Sequence, residues 1–462
     1  MTPASRRLSI HPTFTFSKVA RTMKMAVARR RWLAAVLGLL VTPAVQMLAS
    51  PAFAENWPNW RGPRNDSTTS ETGLPLYWSE IAGVVWKTAL PGEGASTPAI
   101  WGDAVFVTAQ QDDKLLLLRL NKSNGRIVWT RQVGTTEGTV RQADRGKQKF
   151  HRLHNEASPS PVTDGEIVVA HFGNGDLAAY DFDGNQLWKR NLQDDHGPYT
   201  VWWGHANSPV IYRDLVIVVC MQDPIDDLGT EPAKSYLEAY NKRNGRVRWT
   251  TSRMTGAKAE SADSYTTPLL RVTPKGDELI VMGGNQLDAY NPATGEQLWW
   301  MDGLQGGRTI TGPTITGPYV LATRGMRGAT FAVRIDNVSG KLDRRHLAWQ
   351  DEGATPDSCT PVAWNDLIFT ITDNGIAKCI DARTGGVKWR HRLKGEYKAS
   401  PIAAEGRVYF LNQQGLCTIV SAQLGFNQLA ENQLNDETLA SPAISDGKLF
   451  IRGKKYLYCI AK

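Results

Sequence analysis

The stretch "AYNPATGEQLWW", residues 289–300, joins a turn directly to a strand that carries tryptophan. Its Asn-Pro-Ala-Thr-Gly segment is typical of a hairpin turn, and Gly295 lies four residues before Trp299. Glycine adopts a positive φ angle at little cost, and a tight hairpin needs that conformation. The residues after the glycine predict a half-buried strand.

The same pattern recurs along the chain. Four further stretches, among them "RLNKSNGRIVW" and "CIDARTGGVKW", repeat the turn, the glycine and the tryptophan. Their tryptophans are Trp129, Trp188, Trp249 and Trp389. "HLAW", ending at Trp349, follows a longer turn, and "GVVWKTAL" places Trp86 in a similar strand. In "LGFNQL" we expect Leu429 to take the position of the tryptophan.

A second repeat lies between these tryptophans. It begins with a proline that usually follows Ser or Thr, as in "STPAIWGDAVFV" and "ASPIAAEGRVYF", and it continues as two apolar strands. Its eight copies are 40 to 63 residues apart, at Pro98, Pro161, Pro209, Pro268, Pro313, Pro361, Pro401 and Pro442. Repeats of roughly 40–50 residues are typical of propeller blades. The sequence therefore predicts an all-β, eight-bladed β-propeller with four strands per blade, from an innermost strand A at the proline to an outermost strand D at the tryptophan.

The ends of the repeat array predict how the ring closes. The last copy ends at Lys462 without a tryptophan strand, and the strand around Trp86 precedes the first proline repeat. Pairing of these N- and C-terminal strands completes the eighth blade and removes open sheet edges. We therefore assign the propeller to residues 81–462. Residues 55–80 are expected to form an extended arm over it, held by Trp57 and Trp60.

Residues 1–54 read as a signal peptide. A basic segment is followed by "WLAAVLGLLV" and by the Ala-x-Ala site Ala52–Ala54, which predicts cleavage before Glu55. We expect an exported, soluble protein of the periplasm or the extracellular space, without a transmembrane segment after cleavage. "RRRWL", residues 29–33, leaves both the general and the twin-arginine export routes open.

The net charge of +8 comes from this leader. Residues 1–54 hold eight Lys or Arg and no Asp or Glu, so their removal leaves 45 bases and 45 acids. This balance gives no electrostatic case for binding nucleic acid. The five cysteines, none adjacent to another, are expected to be buried small hydrophobes rather than disulfide partners: Cys220, Cys359, Cys379, Cys417 and Cys459.

The repeated Ser/Thr-Pro strands and "DxxTGxxxW" hairpins resemble the quinoprotein (PQQ-repeat) propeller superfamily, over residues 81–462. That family includes the BamB-type propellers of the outer-membrane barrel-assembly machinery and, more distantly, the quinoprotein alcohol dehydrogenases. The resemblance implies that the tryptophans dock neighbouring blades. It implies either a non-catalytic scaffold without a cofactor or a PQQ- and calcium-dependent dehydrogenase of alcohols or sugars. Short loops and the lack of adjacent cysteines favour the scaffold, whereas the lack of a lipid-anchor cysteine departs from the BamB pattern.

The loops before strand A are predicted to meet at one mouth of the central channel. Counting five residues back from each proline gives five carboxylates and one arginine, in the series Glu93, Glu156, Gly204, Asp263, Arg308, Pro356, Glu396 and Glu437. We expect these carboxylates to form a ring around the mouth, with His205, Asp357 and Tyr397 beside it. Such a ring suits Ca²⁺ or a small ligand, and Arg308 suits a ligand carboxylate. Solvated acidic loops remain the alternative.

The family resemblance implies roles for these positions. In a dehydrogenase, Asp357 or Asp263 would be the catalytic base, and Asn155 with Glu156 would bind calcium. Arg308, His205 and Tyr397 would complete the quinone site. In a scaffold, the same mouth would bind an envelope protein or a small ligand.

Two longer insertions add further candidates. Residues 131–157 carry His151, His154 and Glu156, a spacing that permits a transition-metal site but does not establish one. Residues 222–236 hold four acids that we interpret as a solvated loop, Asp223, Asp226, Asp227 and Glu231. Trp202 and Trp203 belong either to a stacking surface at the mouth or to the core.

Overall fold

The structure is a computed structural model that describes residues 55–137, 151–225, 231–326 and 328–462. Over these residues the chain forms eight sheets, each built on four antiparallel strands A to D. The predicted eight-bladed β-propeller is therefore confirmed. The signal-peptide prediction for residues 1–54 lies outside the described residues.

The strands of each blade follow the repeat. Blade 1 contains Ala99–Trp101, Ala104–Gln111, Lys114–Asn121 and Ile127–Thr135, and blade 2 contains Val162–Thr163, Ile167–His171, Asp176–Asp181 and Gln186–Asn191. Blade 3 contains Val210–Tyr212, Leu215–Cys220, Tyr236–Asn241 and Val247–Ser252, and blade 4 contains Leu269–Arg271, Glu278–Gly283, Gln286–Tyr290 and Gln297–Met301. Blade 5 contains Thr314–Thr316, Tyr319–Thr323, Thr330–Arg334 and Leu347–Asp351, and blade 6 contains Val362–Trp364, Leu367–Ile371, Ile376–Asp381 and Val387–Arg392. Blade 7 contains Ile402–Ala404, Arg407–Leu411, Leu416–Ser421 and Gln428–Gln433, and blade 8 contains Ala443–Ser445, Lys448–Arg452, Tyr456–Ile460 and Val84–Ala89. One short α-helix, Leu192–His196, and two 3₁₀ turns, Ala259–Ser261 and Arg344–His346, lie between strands of the described chain.

The hairpin of the opening stretch receives the tryptophan of the preceding blade. Gly295 has a φ of +75°, and a Cβ atom placed on it would lie 2.5 Å from Cε3 of Trp249. The Trp249 indole N–H donates to the carbonyl of Pro292 in the same turn, at 3.3 Å. The glycine is thus required both by the backbone conformation and by the approach of the ring.

The same docking is seen at other blade boundaries. Five further indoles donate to the carbonyl of a residue in the next blade's hairpin, from Trp86 to Lys122, Trp129 to Phe182, Trp188 to Lys242, Trp349 to Ala382 and Trp389 to Gln423. The prediction that these tryptophans pack blades together is confirmed. Blade 5 lacks the short hairpin, so Trp299 instead donates to Glu278 Oε1 at 3.0 Å. A fifth strand, Gly340–Lys341, runs parallel to strand D of blade 4 at this boundary.

The prediction for blade 7 is wrong by one residue. Ala430, not Leu429, pairs with strand C in the register that Trp389 has in blade 6. The turn of blade 7 is one residue longer, which shifts the strand. Ala430 belongs to a buried cluster that also contains Trp78 of the arm.

The residues before the prolines explain why Ser and Thr recur there. Six of these seven hydroxyls accept the backbone N–H of the equivalent residue in the preceding blade, at 2.7 to 3.0 Å. The bonds run from residue 97 to Ser160, from 160 to Ser208, from 208 to Thr267, from 312 to Thr360, from 360 to Ser400 and from 400 to Ser441. We call this ring the hydroxyl belt. It is interrupted after Thr267, because Gly312 has no hydroxyl. Between blades 8 and 1, Thr97 Oγ1 is buried and has no hydrogen-bond partner among the described residues.

The ring closes as predicted. Strand D of blade 8, Val84–Ala89, pairs antiparallel with Tyr456–Ile460. The N-terminal strand therefore completes a sheet whose other three strands come from the C-terminal end of the chain.

The arm, residues 55–80, enters the channel from the face opposite the mouth. The backbone of Trp57 pairs with Ile100 of strand A, and the carbonyl of Pro58 accepts the N–H of Thr163 at 2.9 Å. Farther in, the Trp60 indole N–H lies 3.4 Å from Ser441 Oγ of the hydroxyl belt. The arm thus crosses the channel at the level of the belt.

Arg61 carries a positive charge into this channel. Its guanidinium donates to the carbonyls of Pro313, at 2.5 Å, and Pro361, at 3.3 Å, and its Nε–H donates to Ser67 Oγ. Burial lowers the pKa of Arg61 to about 10, although Asp66 opposes the shift. The arm is therefore fixed by polar contacts to strand A of blades 5 and 6, as well as by its tryptophans.

Candidate functional site at the channel mouth

The mouth of the channel holds a cavity of about 370 Å³. Its lining includes the third residue before each blade proline, in the order Ala95, Ser158, Ala206, Tyr265, Ile310, Ser358, Lys398 and Leu439. His151, Leu153, His154, Trp203 and Arg308 complete the wall. These residues lie three positions before each proline, whereas the predicted ring was placed five positions before it.

The predicted ring of carboxylates does not line this cavity. Among the residues five before each proline, only Arg308 faces it. Glu93, Glu396 and Glu437 are exposed at the rim, whereas Glu156 and Asp263 are buried, at 1% and 0% exposure. The reason is that these positions lie in the connecting loops, two residues before the chain reaches the channel wall.

Two residues predicted beside the mouth are packed behind its wall. His205 is buried, its Nε2 lies 3.2 Å from the carbonyl of Val219, and its ring stacks on Tyr199. Burial, and then the neighbouring His171, lower the pKa of His205 well below its usual value. Tyr397 is also buried, and its hydroxyl donates to the carbonyl of Lys394 at 3.0 Å. Neither side chain lines the cavity.

The two proposed base candidates differ in their surroundings. Asp357 lies near the mouth, where its Oδ2 pairs with Arg308 Nη2 at 3.2 Å. Asp263 is fully buried, and its Oδ2 accepts the backbone N–H of Trp202 at 2.8 Å. Their assignment as a catalytic base stays a prediction.

The charged groups that line the cavity are cations held by carboxylates behind them. Arg308 pairs with Glu260 at 3.2 Å as well as with Asp357. Lys398 pairs with Asp373, and its Nζ lies 3.1 Å from Ser358 Oγ, which also lines the cavity. Both cationic side chains are therefore fixed in position before any ligand arrives.

Three cationic side chains lie near His151. Burial lowers the pKa of the His151 imidazole, and the charges of Lys398, Arg152 and Arg308 lower it further. Burial and the three nearby cations therefore disfavour a proton on this ring.

An aromatic wall stands beside these charges. The Trp203 backbone N–H donates to the Tyr265 hydroxyl at 3.2 Å, and its indole N–H lies 3.4 Å from Glu260 Oε1. His151 packs edge-to-face on Trp203, with ring centroids 5.6 Å apart. Together with Ile310 and the other apolar lining residues, this wall suits a ligand that has a flat or apolar body and acidic groups.

The metal-site candidates do not come together. His154 Nδ1 lies 2.5 Å from Ser158 Oγ, whereas the Glu156 carboxylate is buried away from the cavity. Asn155 lines a separate rim depression of about 70 Å³ together with Glu93 and Glu437. Within residues 55–137, 151–225, 231–326 and 328–462, no group of three His, Cys, Asp or Glu side chains is placed to hold a metal ion. The calcium and transition-metal assignments stay predictions.

The remaining candidates fall into other environments. Asp226 and Asp227 lie outside the described residues, whereas Asp223 is buried and its Oδ1 accepts the N–H of Ala259 at 2.8 Å. All five cysteines are buried and without a disulfide, as predicted. No described helix is both long enough and apolar enough to cross a membrane.

Comparison with known proteins identifies the family. The model of the family described as "Outer membrane protein assembly factor BamB" matches residues 76–225, 147–348 and 333–428. The chain belongs to this family. These matches cover most of the propeller, so the predicted relationship to PQQ-repeat propellers of the BamB type is confirmed.

Individual relatives are distant. The outer membrane protein assembly factor BamB of Yersinia pestis is 22% identical over 314 residues, which are 63% of this chain and 70% of that protein. The tetrathionate hydrolase of Acidithiobacillus ferrooxidans is 27% identical over 256 residues, 52% of this chain, and the match spans only 43% of that enzyme. A europium-containing methanol dehydrogenase has a similar structure, with a TM-score of 0.63 at 11% identity over 88% of this chain and 98% of the other. This last likeness shows the fold alone.

Proposed function

We propose that this protein is an exported propeller of the cell envelope that binds an anionic group at its channel mouth and does not transform it. The supporting observation is the pair of cations, Arg308 and Lys398, on the wall of the mouth cavity. The family description, an outer membrane assembly factor, supports an envelope location. We propose an acidic segment of an envelope protein as the natural ligand.

The mouth offers donors that suit such a ligand. Arg308 has five N–H donors, of which its two carboxylate partners engage two. Guanidinium groups bind carboxylates and other oxyanions strongly because the hydrogen bonds are charge-assisted. The ion pairs with Asp357 and Glu260 keep the side chain at the wall, so little conformational entropy is lost when a ligand binds.

Titration of the purified protein with naphthalene-2,6-dicarboxylate, an aromatic dianion, tests this proposal. Calorimetry and tryptophan fluorescence should show binding without added calcium, with Trp203 as a reporter. Arg308→Gln and Lys398→Gln should each weaken binding by roughly tenfold, the loss of one charge-assisted contact. Lys454→Gln is the matched control, because Lys454 pairs with Glu93 at the rim depression rather than lining the cavity. Equal affinity in all three variants would remove the proposal.

A PQQ- and calcium-dependent dehydrogenase of alcohols or sugars is the second candidate. The flat wall at Trp203 and the charge of Arg308 suit the ring and the carboxylates of PQQ, which would supply a hydride acceptor. The calcium ligands are less well matched, because Asn155 and Glu156 face different surroundings. Residues Asp357 and Asp263 remain the base candidates.

Titration with PQQ, with and without Ca²⁺, separates the two candidates. Tight one-to-one binding that needs calcium, together with alcohol-dependent reduction of a dye, would establish the dehydrogenase. In that case Asp357→Asn or Asp263→Asn should abolish turnover while PQQ still binds. Calcium-independent binding without turnover would favour the anion-binding propeller.

A further inference from the structure

Glu71 is a buried carboxylate at the base of the arm. It is 9% exposed, and its Oε1 accepts the backbone N–H of Glu55 at 2.6 Å and that of Asp446 at 2.8 Å. Its Oε2 accepts the N–H of Gly447 at 2.6 Å. In the described part of the chain, no Lys, Arg or His side chain lies within ion-pair distance of it. A buried carboxylate normally has a cationic partner, because removing an unpaired charge from water is unfavourable.

The residue that contacts Glu71 is the one after the Ala-x-Ala site. Hydrolysis of the bond between Ala54 and Glu55 consumes one water, leaves a carboxylate on Ala54 and leaves an ammonium group on Glu55. The nitrogen that now donates a single N–H at 2.6 Å would then carry a positive charge and three N–H donors. The missing cation would be supplied at the place where the carboxylate already lies.

The side chain of Glu55 is also fixed so that its nitrogen faces Glu71. Its carboxylate accepts from the Thr69 hydroxyl, from the Ser70 N–H at 3.0 Å and from Arg64 Nη1 at 3.1 Å. Burial raises the pKa of the Glu55 side chain, but these hydrogen bonds and the Arg64 charge outweigh it, so the pKa is lowered. Glu55 is therefore held by its own carboxylate, independently of the contact with Glu71.

We propose that Glu71 is the binding site of the α-ammonium group created when the signal peptide is removed. This inference rests on the proposed export of the protein. The ion pair ties the first residue of the processed chain to the turn between strands A and B of blade 8, through Asp446 and Gly447. It thereby adds to the contacts of Trp60 and Arg61 that hold the arm in the channel.

The test compares two forms of the processed protein, one beginning at Glu55 and one with a single extra alanine before it. The extension moves the ammonium group away and replaces it with a peptide N–H. We expect the melting temperature to fall by roughly 5 °C on extension. In the Glu71→Gln background the extension should have no effect, because the partner charge is absent.

Glu405→Gln is the matched control. Glu405 also accepts backbone N–H groups of the arm, from Gly73 and Leu74, but it does not contact residue 55. The extension should lower the melting temperature as much in this background as in the wild type. An equal effect in the Glu71→Gln background would overturn the proposal, as would no effect in the wild type.

Mass spectrometry of the protein secreted by its own leader completes the test. A first residue at Glu55 is expected. A first residue elsewhere would overturn the proposed ion pair while leaving export intact, whereas retention of the whole leader inside the cell would overturn export itself.

Discussion

At the residue scale, a hairpin glycine meets two requirements, a positive φ angle and space for the tryptophan ring of the preceding blade, and mutation can separate them. We expect Gly295→Ala to destabilise the fold by roughly 2–4 kcal/mol, because it adds the strain of a positive φ to a Cβ atom 2.5 Å from the Trp249 ring. Urea unfolding measures this change in the free energy of unfolding.

Gly303→Ala is the control for the backbone term alone. Gly303 also has a positive φ, +83°, but no atom lies within 4 Å of an added Cβ. Its substitution should lower the unfolding free energy by only about 1 kcal/mol. Equal losses at the two positions would show that the approach of Trp249 contributes nothing.

Also at the residue scale, His171 makes stability depend on pH. Burial lowers its pKa to about 4, compared with about 6.5 for an unperturbed histidine. Between these values the unfolded chain binds the proton and the folded chain does not, so stability falls as the pH falls. The slope is about 1.4 kcal/mol per pH unit for each such group.

His171→Gln should flatten this dependence. Between pH 7 and pH 4.5, the free energy of unfolding of the variant, measured in urea, should change with pH less steeply, by the contribution of about one proton. Buried His205 should still contribute its own pH dependence. His391→Gln, at an exposed histidine, is the matched control substitution. An unchanged slope in His171→Gln would mean that this ring is not the titrating group.

At the element scale, the blades could be predicted because each repeats the same contacts. The glycine turn, the docked tryptophan and the hydroxyl before the proline make the same contacts in most copies, so they form a visible pattern in the sequence. The error at Leu429 arose where one turn gained a residue. The fifth strand at Gly340–Lys341 was missed for a similar reason, because blade 5 replaces the hairpin with a longer loop.

The site could not be predicted to the same extent. Its lining positions share a place in the repeat but not a residue type, as Ala95, Tyr265 and Lys398 illustrate. Four lining residues were named from the sequence, Arg308, His151, His154 and Trp203, but the ring three residues before each proline was not. The course of the arm through the channel depends on Arg61 contacts to blades 5 and 6, which are more than 250 residues away in sequence and leave no local signal.

The gap in the hydroxyl belt gives a prediction at this scale. Gly312→Ser should stabilise the protein by roughly 1 kcal/mol, because it restores an acceptor for the Thr267 N–H and restricts the unfolded chain. An added Cβ would lie 3.4 Å from Trp60 and 3.5 Å from Thr360, which is ordinary contact.

Gly312→Ala separates these two contributions in thermal unfolding. It restricts the unfolded chain equally but offers no hydroxyl, so its gain should be smaller than that of Gly312→Ser. Equal gains would show that the belt does not extend across this boundary.

At the scale of the whole molecule, the ring has one seam that no covalent connection crosses. Strand D of blade 8 is held to strand C by the pairing of Val84–Ala89 with Tyr456–Ile460 and by the packing of Trp86. The belt is also open here, since Thr97 Oγ1 accepts no N–H from blade 8 within the described chain. We therefore expect the seam to be the place where the propeller opens first.

Trp86→Ala tests this by hydrogen exchange with mass spectrometry. It should cost roughly 3–5 kcal/mol and expose the amides of Val84–Ala89 and Tyr456–Ile460 together, before the other blades open. Trp389→Ala removes the same group with the same burial, 8% exposure compared with 9%, at a boundary inside the continuous chain. Its loss should raise exchange only around blades 6 and 7. If both variants open the same blades, the ring unfolds as one unit and the seam is no weaker than any other boundary.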